Sequence, residues 1–149
     1  MPTARPAISS DLISLLALFE ASDVSDHAEL GETAERIWEE TIGRDGLTIF
    51  VSDADHRIVA TCMLVTIPNL LRDGRKHGFI ENVVTHPSYQ RRGHGRAVIG
   101  AALAEAWNQN CYHVLLQSGR ADPGVHRFYE SCGFVPGLRT AYAAPRPTG

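Results

Sequence analysis

Gln90-Arg91-Arg92-Gly93-His94-Gly95-Arg96 separates a strand-like run closing at His86-Pro87 from a long run of helix-period apolar residues. Glycines at 93 and 95 let the backbone turn sharply and approach a ligand with no β-carbon in the way. The amides that open the helix have no partners within it and carry the positive end of its macrodipole. Such a turn binds phosphate or pyrophosphate. Three arginines within the seven residues add charge-assisted contacts suited to phosphate oxygens. Short glycine motifs also match by chance, and an ordinary strand-to-helix turn with solvated arginines is the competing reading. Two better-known phosphate motifs are absent. There is no G-x-x-x-x-G-K-[ST], and position 98 is Val98, where a dinucleotide fingerprint needs glycine.

Around this turn the composition is ordinary. The chain has 149 residues, 44% hydrophobic and 21% charged, which suits one domain (1–149) with a core large enough to need no staples. Fourteen Lys and Arg against 17 Asp and Glu leave a net charge of −3, which disfavours a nucleic-acid binder. Cys62, Cys111 and Cys132 are an odd count without C-x-x-C spacing. They argue against a disulfide framework or zinc knuckle and fit a reducing, cytoplasmic setting. No apolar run approaches the length of a membrane span, and no basic stretch followed by an apolar core marks a signal peptide. Residues 143–149, with two prolines, read as a frayed tail.

The rest of the chain supplies the layers around the turn. Ser9-Ser10-Asp11 caps a helix carrying Leu12, Ile13, Leu15, Leu16 and Phe19. A second helix is expected over Glu32 to Ile42 with Ile37 and Trp38 inward, followed by a turn at Asp45-Gly46. Leu47 to Ser52 and Ile58 to Ile67 read as a hairpin joined by Asp53-Ala54-Asp55-His56. A loop over Asn69 to His77 leads to a strand over Gly78 to His86, then the glycine turn and a helix from Arg96 to about Asn110. His113 to Gln117 is expected to be a short buried strand. Asp122-Pro123 opens a helix ending before Gly133. Further strands are expected at Phe134-Val135 and Leu138 to Tyr142. Hairpin strands followed by strands alternating with helices give a mixed α/β sheet.

Gln90 to Gly95 resembles the Q/R-x-x-G-x-G/A signature of the GNAT family of N-acetyltransferases. Ile80-Glu81-Asn82-Val83-Val84-Thr85-His86-Pro87 resembles the strand that precedes that signature. Phe128-Tyr129-Glu130-Ser131-Cys132-Gly133-Phe134 resembles the family's F-Y-x-x-x-G-F segment, and Arg5-Pro6-Ala7 with Ser10-Asp11 resembles its N-terminal start. The resemblance implies a mostly antiparallel central sheet, splayed in the middle and flanked by helices. It implies acetyl-CoA as cosubstrate, with no metal, and acetyl transfer to a primary amine. Val83, Val84 and Thr85 would then contact the pantetheine arm and acetyl carbonyl. Arg91, Arg92, Gly93, His94, Gly95 and Arg96 would take the pyrophosphate, mainly through backbone amides. Tyr129 matches the family tyrosine that returns a proton to the thiolate, and a phenol of pKa about 10 suits that leaving group. Packing in the core is the alternative for Tyr129.

Glu81 is the candidate base. Strand alternation places it with Phe79 and Val83, opposite Ile80, Asn82 and Val84. An ion pair with Arg75 or Lys76 competes with that role, and ordered water can carry the amine proton instead. Asp122 stands about where relatives carry a cofactor-contacting asparagine, but an aspartate would repel phosphate and helix capping explains it equally well. His94 and His126 are expected at the solvated rim, with contact to the cofactor as the alternative. Seven histidines without H-x-x-x-H spacing give no metal site, and Cys111 and Cys132 read as core residues. Gly78 to Val84 with Asn110-Cys111-Tyr112 is similar to glucosamine-6-phosphate N-acetyltransferases, although Asn82 replaces an acidic residue of that group. Arg72, Arg75, Lys76 and His77 would then neutralise a sugar phosphate, or are simply solvated. The acidic stretch Asp23, Asp26, Glu29, Glu32, Glu35, Glu39 and Glu40 attracts a cationic amine or forms an exposed helical face. A small-molecule amine is the expected acceptor, with a protein amine as the alternative. A homodimer is expected through Phe134 to Tyr142, with no nucleic-acid or membrane partner. A silent acyl-CoA-binding module on the same fold is the competing function.

Overall fold

The computed structural model describes residues 1–22, 24 and 28–148; of the acidic stretch, Asp23 and Asp26 lie outside the described residues. The chain divides into two compact units, Met1–Leu116 and Gln117–Gly149. The first unit holds β1 (Arg5–Pro6), α1 (Leu12–Ala21), α2 (Glu32–Ile42), β2 (Leu47–Ala54), β3 (Arg57–Ile67), β4 (Lys76–Thr85), α3 (His94–Asn108) and β5 (Cys111–Leu116). Its five strands form one sheet in sequence order. β1 to β4 are antiparallel and β4–β5 is parallel.

The β2–β3 hairpin is tighter than its polar linker suggested. β2 runs on to Ala54, which pairs with Arg57, so only Asp55 and His56 turn. Both have positive φ (50° and 60°), as a two-residue hairpin of the twisted kind demands. One face of the sheet packs on α1 and α2, where Leu15, Leu18 and Trp38 meet Ile49, Val51 and Ile58. Trp38 also donates its Nε1–H to Ser9 O at 3.0 Å. Ile37 faces solvent instead, because neighbouring helix positions lie about 100° apart and Trp38 takes the inward one. The other face meets α3 through the inward stripe His94, Val98, Ala102 and Ala106, four residues apart each time. Cys62 on β3 lies against it, Sγ 3.4 Å from Val98 O. Ile80 and its cross-strand partner Leu64 are each 1% exposed, so truncating either to alanine costs about 2–5 kcal/mol.

β4 begins at Lys76, two residues before Gly78, because Lys76 N–H reaches Asn110 O and pairs with Cys111. Further along, strict alternation fails. Met63 pairs with Glu81 and Thr61 with Val84, so Cys62 is opposed by both Asn82 and Val83. Asn82 is the extra residue and sits at φ 52°. This bulge carries Val84 onto the face of Glu81 and Met63, where it packs against the α1–α2 core. The expected grouping of Val84 with Ile80 is therefore reversed.

β5 spans Cys111–Leu116, two residues earlier than expected, and beyond Cys111 it is half-buried, since only β4 pairs with it. In the second unit, Asp122 accepts from Gly124 N–H at 2.8 Å and Pro123 occupies the first turn of α4 (Pro123–Ser131). Gly133 follows at φ 100°, in the position that ends a helix. The expected strands at Phe134-Val135 and Leu138 to Tyr142 are absent. Pro136 has no amide to give a ladder and Gly137 turns at φ 79°, leaving Val135, Leu138 and Tyr142 exposed.

Candidate active site

The parallel ladder between β4 and β5 ends at Ile80 and Leu116. β4 continues to Thr85, still paired with β3 through Met63, Thr61 and Ala60. Its other edge, from Glu81 to Thr85, has no strand beside it among the described residues. The sheet is thus open along this stretch of β4. An extended chain of amides finds on such an edge the hydrogen bonds of a missing strand. Val83, Val84 and Thr85 are half-buried along it.

The strand leads into the glycine turn. Arg91 at φ 64° and Gly93 at φ 92° take left-handed conformations two residues apart, the backbone habit of anion-binding nests. α3 starts at His94, two residues before the predicted Arg96, with Gly93 as a cap that has no side chain to offer. Its first internal bond runs from Ala97 N–H to Gly93 O at 3.0 Å. The amides of His94 and Gly95 therefore precede the helical ladder and carry its positive end. Arg91, Arg92 and Arg96 are exposed around them. Arg92 lies over the Tyr89 ring, Cζ 5.3 Å from its centroid, and Tyr89 donates its hydroxyl proton to Asp55 at the hairpin tip.

His94 differs from expectation. The residue is 8% exposed and its ring faces inward, with Nδ1 2.8 Å from Ser52 Oγ, so that its backbone is what faces the turn. Burial, then the Arg92 charge, hold its pKa below the usual imidazole value. His126 is exposed as expected, with Nε2 donating to Arg120 O at 2.8 Å.

Glu81 is exposed opposite Met63, and among the described residues it makes no ion pair with Arg75 or Lys76. A solvated carboxylate on an open edge can accept a proton directly or through water. Tyr129, in the second unit, is half-buried, its ring centroid 5.4 Å from Phe128 and 6.2 Å from Phe134. Asp122 is engaged as a helix cap. Cys62 and Cys111 are buried, and burial pushes the Cys62 thiol up to about 12 and raises that of Cys111 as well, whereas Cys132, expected in the core, is half-buried.

Sequence reasoning missed a cluster at the start of β4 and β5. His77 Nδ1 lies 3.1 Å from Tyr112 Oη and 3.2 Å from His113 Nε2, and Arg72 lies over the Tyr112 ring at 5.2 Å. Only the parallel pairing of β4 with β5 brings these residues together. Among the described residues no three His, Cys, Asp or Glu side chains converge, and no helix is long and apolar enough to cross a membrane.

Residues 13–134 match the Acetyltransferase (GNAT) family. The chain belongs to this family. It is an acetyl-CoA-dependent N-acetyltransferase, with an open edge strand and an amide-rich turn in the order the family motif implies. A glucosamine 6-phosphate N-acetyltransferase of Trypanosoma brucei brucei is 33% identical over 138 residues, covering 84% of this chain and 92% of that protein. A putative acetyltransferase from Agrobacterium tumefaciens str. C58 superposes with a TM-score of 0.90 at 41% identity, covering 97% of this chain and 99% of that one. The glucosamine-6-phosphate N-acetyltransferase structure from Arabidopsis thaliana has a TM-score of 0.82 at 22% identity, covering 97% of this acetyltransferase and 98% of that chain, which shows a shared fold.

Proposed function

We propose that the enzyme acetylates the primary amine of a small phosphorylated amino sugar, by direct transfer within a ternary complex. The observation that carries this is the continuity of the open β4 edge with the amide-rich turn that starts α3. Acetyl-CoA is an extended diamide arm ending in a pyrophosphate, and edge followed by nest is the matching order of hydrogen-bonding groups. Backbone groups of Val83, Val84 and Thr85 hold the arm and orient the carbonyl. The amides of Gly93, His94 and Gly95, with the Arg91, Arg92 and Arg96 side chains, hold the phosphates. Acetyl-CoA supplies the activated acyl group.

The residues then have two protons to manage. The amine arrives as an ammonium and must lose one before its lone pair can form the C–N bond. Glu81 takes that proton, directly or through water. As the C–S bond breaks, Tyr129 gives its phenolic proton to sulfur, in keeping with its place in the F-Y-x-x-x-G-F motif. The phenolate is restored from solvent.

Two observations support the acceptor class: the 33% identical relative named for glucosamine 6-phosphate, and the cationic surroundings of Tyr112. Arg72, Arg75, Lys76 and His77 lie within six residues and offer charge to a phosphate ester. Free thiol release should be measured with acetyl-CoA and glucosamine 6-phosphate, glucosamine, a polyamine and a lysine peptide. Turnover should be fastest with the sugar phosphate and fall about 10²-fold or more without its phosphate. Preference for the peptide would replace this acceptor. The exposed Val135, Leu138 and Tyr142 support a homodimer, which light scattering would register as twice the 16.3 kDa chain mass.

A further inference from the structure

We propose that His94 is a positioning residue for the phosphate-holding turn, acting through Ser52 and the N-terminal segment and not by touching the cosubstrate with its ring. The proposal rests on assigning that turn to acetyl-CoA. Ser52 lies within β2, 1% exposed, and its Oγ has two neighbours: Thr3 O at 2.9 Å and His94 Nδ1 at 2.8 Å. A hydroxyl has one proton to donate. Thr3 O is a carbonyl and can only accept, so that proton goes to Thr3. His94 Nδ1 must then carry its own proton and donate it to the Ser52 lone pair. Both bonds exist together only in this tautomer, which gives the chain a direction: His94 to Ser52 to Thr3.

The chain ties together three parts of the molecule. His94 is the first residue of α3, beside the amides that face the phosphates. Ser52 belongs to the buried sheet. Thr3 belongs to the N-terminal segment, whose Pro2 ring lies 3.4 Å from where a β-carbon on Gly93 would stand. The N-terminal segment therefore backs the turn, and Ser52 fixes both to the sheet. Gly93 brings no capping side chain of its own, so the first turn of α3 is held by His94 instead. Donors that are already in place bind phosphate without an ordering cost.

The test compares kcat/KM for acetyl-CoA with that for S-acetyl-pantetheine, which lacks the phosphates. Wild type is measured first: equal values for the two thioesters would overturn the assignment of the turn itself. With that assignment standing, Ser52→Ala should lower kcat/KM for acetyl-CoA about tenfold, the worth of one buried hydrogen bond, and leave acetyl-pantetheine unchanged, and His94→Leu should lower the acetyl-CoA value by a similar factor. His94→Asn places an amide N–H near the Nδ1 position and should restore most of the loss, whereas His94→Gln, one methylene longer, should not. Equal losses with both thioesters, or no loss with acetyl-CoA, would overturn the positioning role. If Ser52→Ala or His94→Leu fails to fold, the Asn and Gln variants decide, and identical kcat/KM for acetyl-CoA in those two overturns it.

Discussion

Ile80 pairs with Leu116, and beyond that rung β4 has no strand on its β5 side among the described residues. Two residues later Asn82 is left over from the pairing with β3 and turns to φ 52°. The two features are adjacent, and a bulge bends its strand and increases its twist. The edge opens because β5 ends at Leu116, and the bulge bends β4 two residues further on. Asn82 should therefore be sensitive to β-branching, although β-branched residues ordinarily favour strands. Asn82→Ile should cost about 1–2 kcal/mol, because a left-handed conformation is strained for it. Asn82→Gly should stay within about 0.5 kcal/mol of wild type. Urea titrations of the three proteins make the comparison, and an Asn82→Ile chain as stable as wild type would contradict the bulge.

Gly93 combines a φ of 92° with the Pro2 ring on the side a β-carbon would occupy. Gly93→Ala should lose about 1–3 kcal/mol of stability through backbone strain. It should also raise the KM for acetyl-CoA, because the amides that follow are displaced. Gly100, which is exposed and has open space around its β-carbon position, is the control. Gly100→Ala should gain about 0.5–1 kcal/mol of helix stability. Denaturant midpoints and acetyl-CoA kinetics for both variants test the contrast.

Tyr129→Phe removes one hydroxyl from a half-buried ring and keeps its contacts with Phe128 and Phe134. Turnover should fall about 10²-fold, the usual worth of a general acid, while the dissociation constant for CoA stays near wild type. Unchanged turnover would remove Tyr129 from the chemistry.

Two groups contribute to the acid side of the stability profile. Burial and Arg92 depress His94, so the unfolded chain binds a proton more readily than the folded one as pH drops below about 6.5. Arg5 reaches Asp11 at 2.8 Å and holds its carboxyl below 3.8, so that contribution is complete above this value and is lost as the folded carboxyl protonates. Stability should therefore decline in two stages on acidification. His94→Asn should flatten the upper stage and Asp11→Asn the lower one. Urea midpoints between pH 3 and pH 8 would show this, and a variant that keeps the wild-type profile would contradict its assignment.

The glycine turn could be read in the sequence because chemistry and geometry coincide there: glycines, arginines and the strand-to-helix boundary fall within seven residues. The bulge could not, because alternation presumes one residue per rung. A lone asparagine among valines is only a faint sign of a left-handed residue. His94 was misplaced for a similar reason. With α3 starting at Arg96 the ring lies outside the helix; started at His94, the four-residue stripe through Val98, Ala102 and Ala106 takes it inward. The Tyr112, His77 and His113 cluster depends on the register of β4 against β5, which no local pattern encodes. At the C-terminal end, the strand-like residues around Pro136-Gly137 were outweighed by a missing amide and a positive φ.

The central claim is that the open β4 edge and the start of α3 hold acetyl-CoA. Amide hydrogen exchange with and without saturating CoA tests it most directly. The account predicts slowed exchange between Glu81 and Thr85 and across Gly93 to Gly95, with β2 unchanged. A protein that releases CoA in the presence of an amine yet shows no protection at either segment would contradict it.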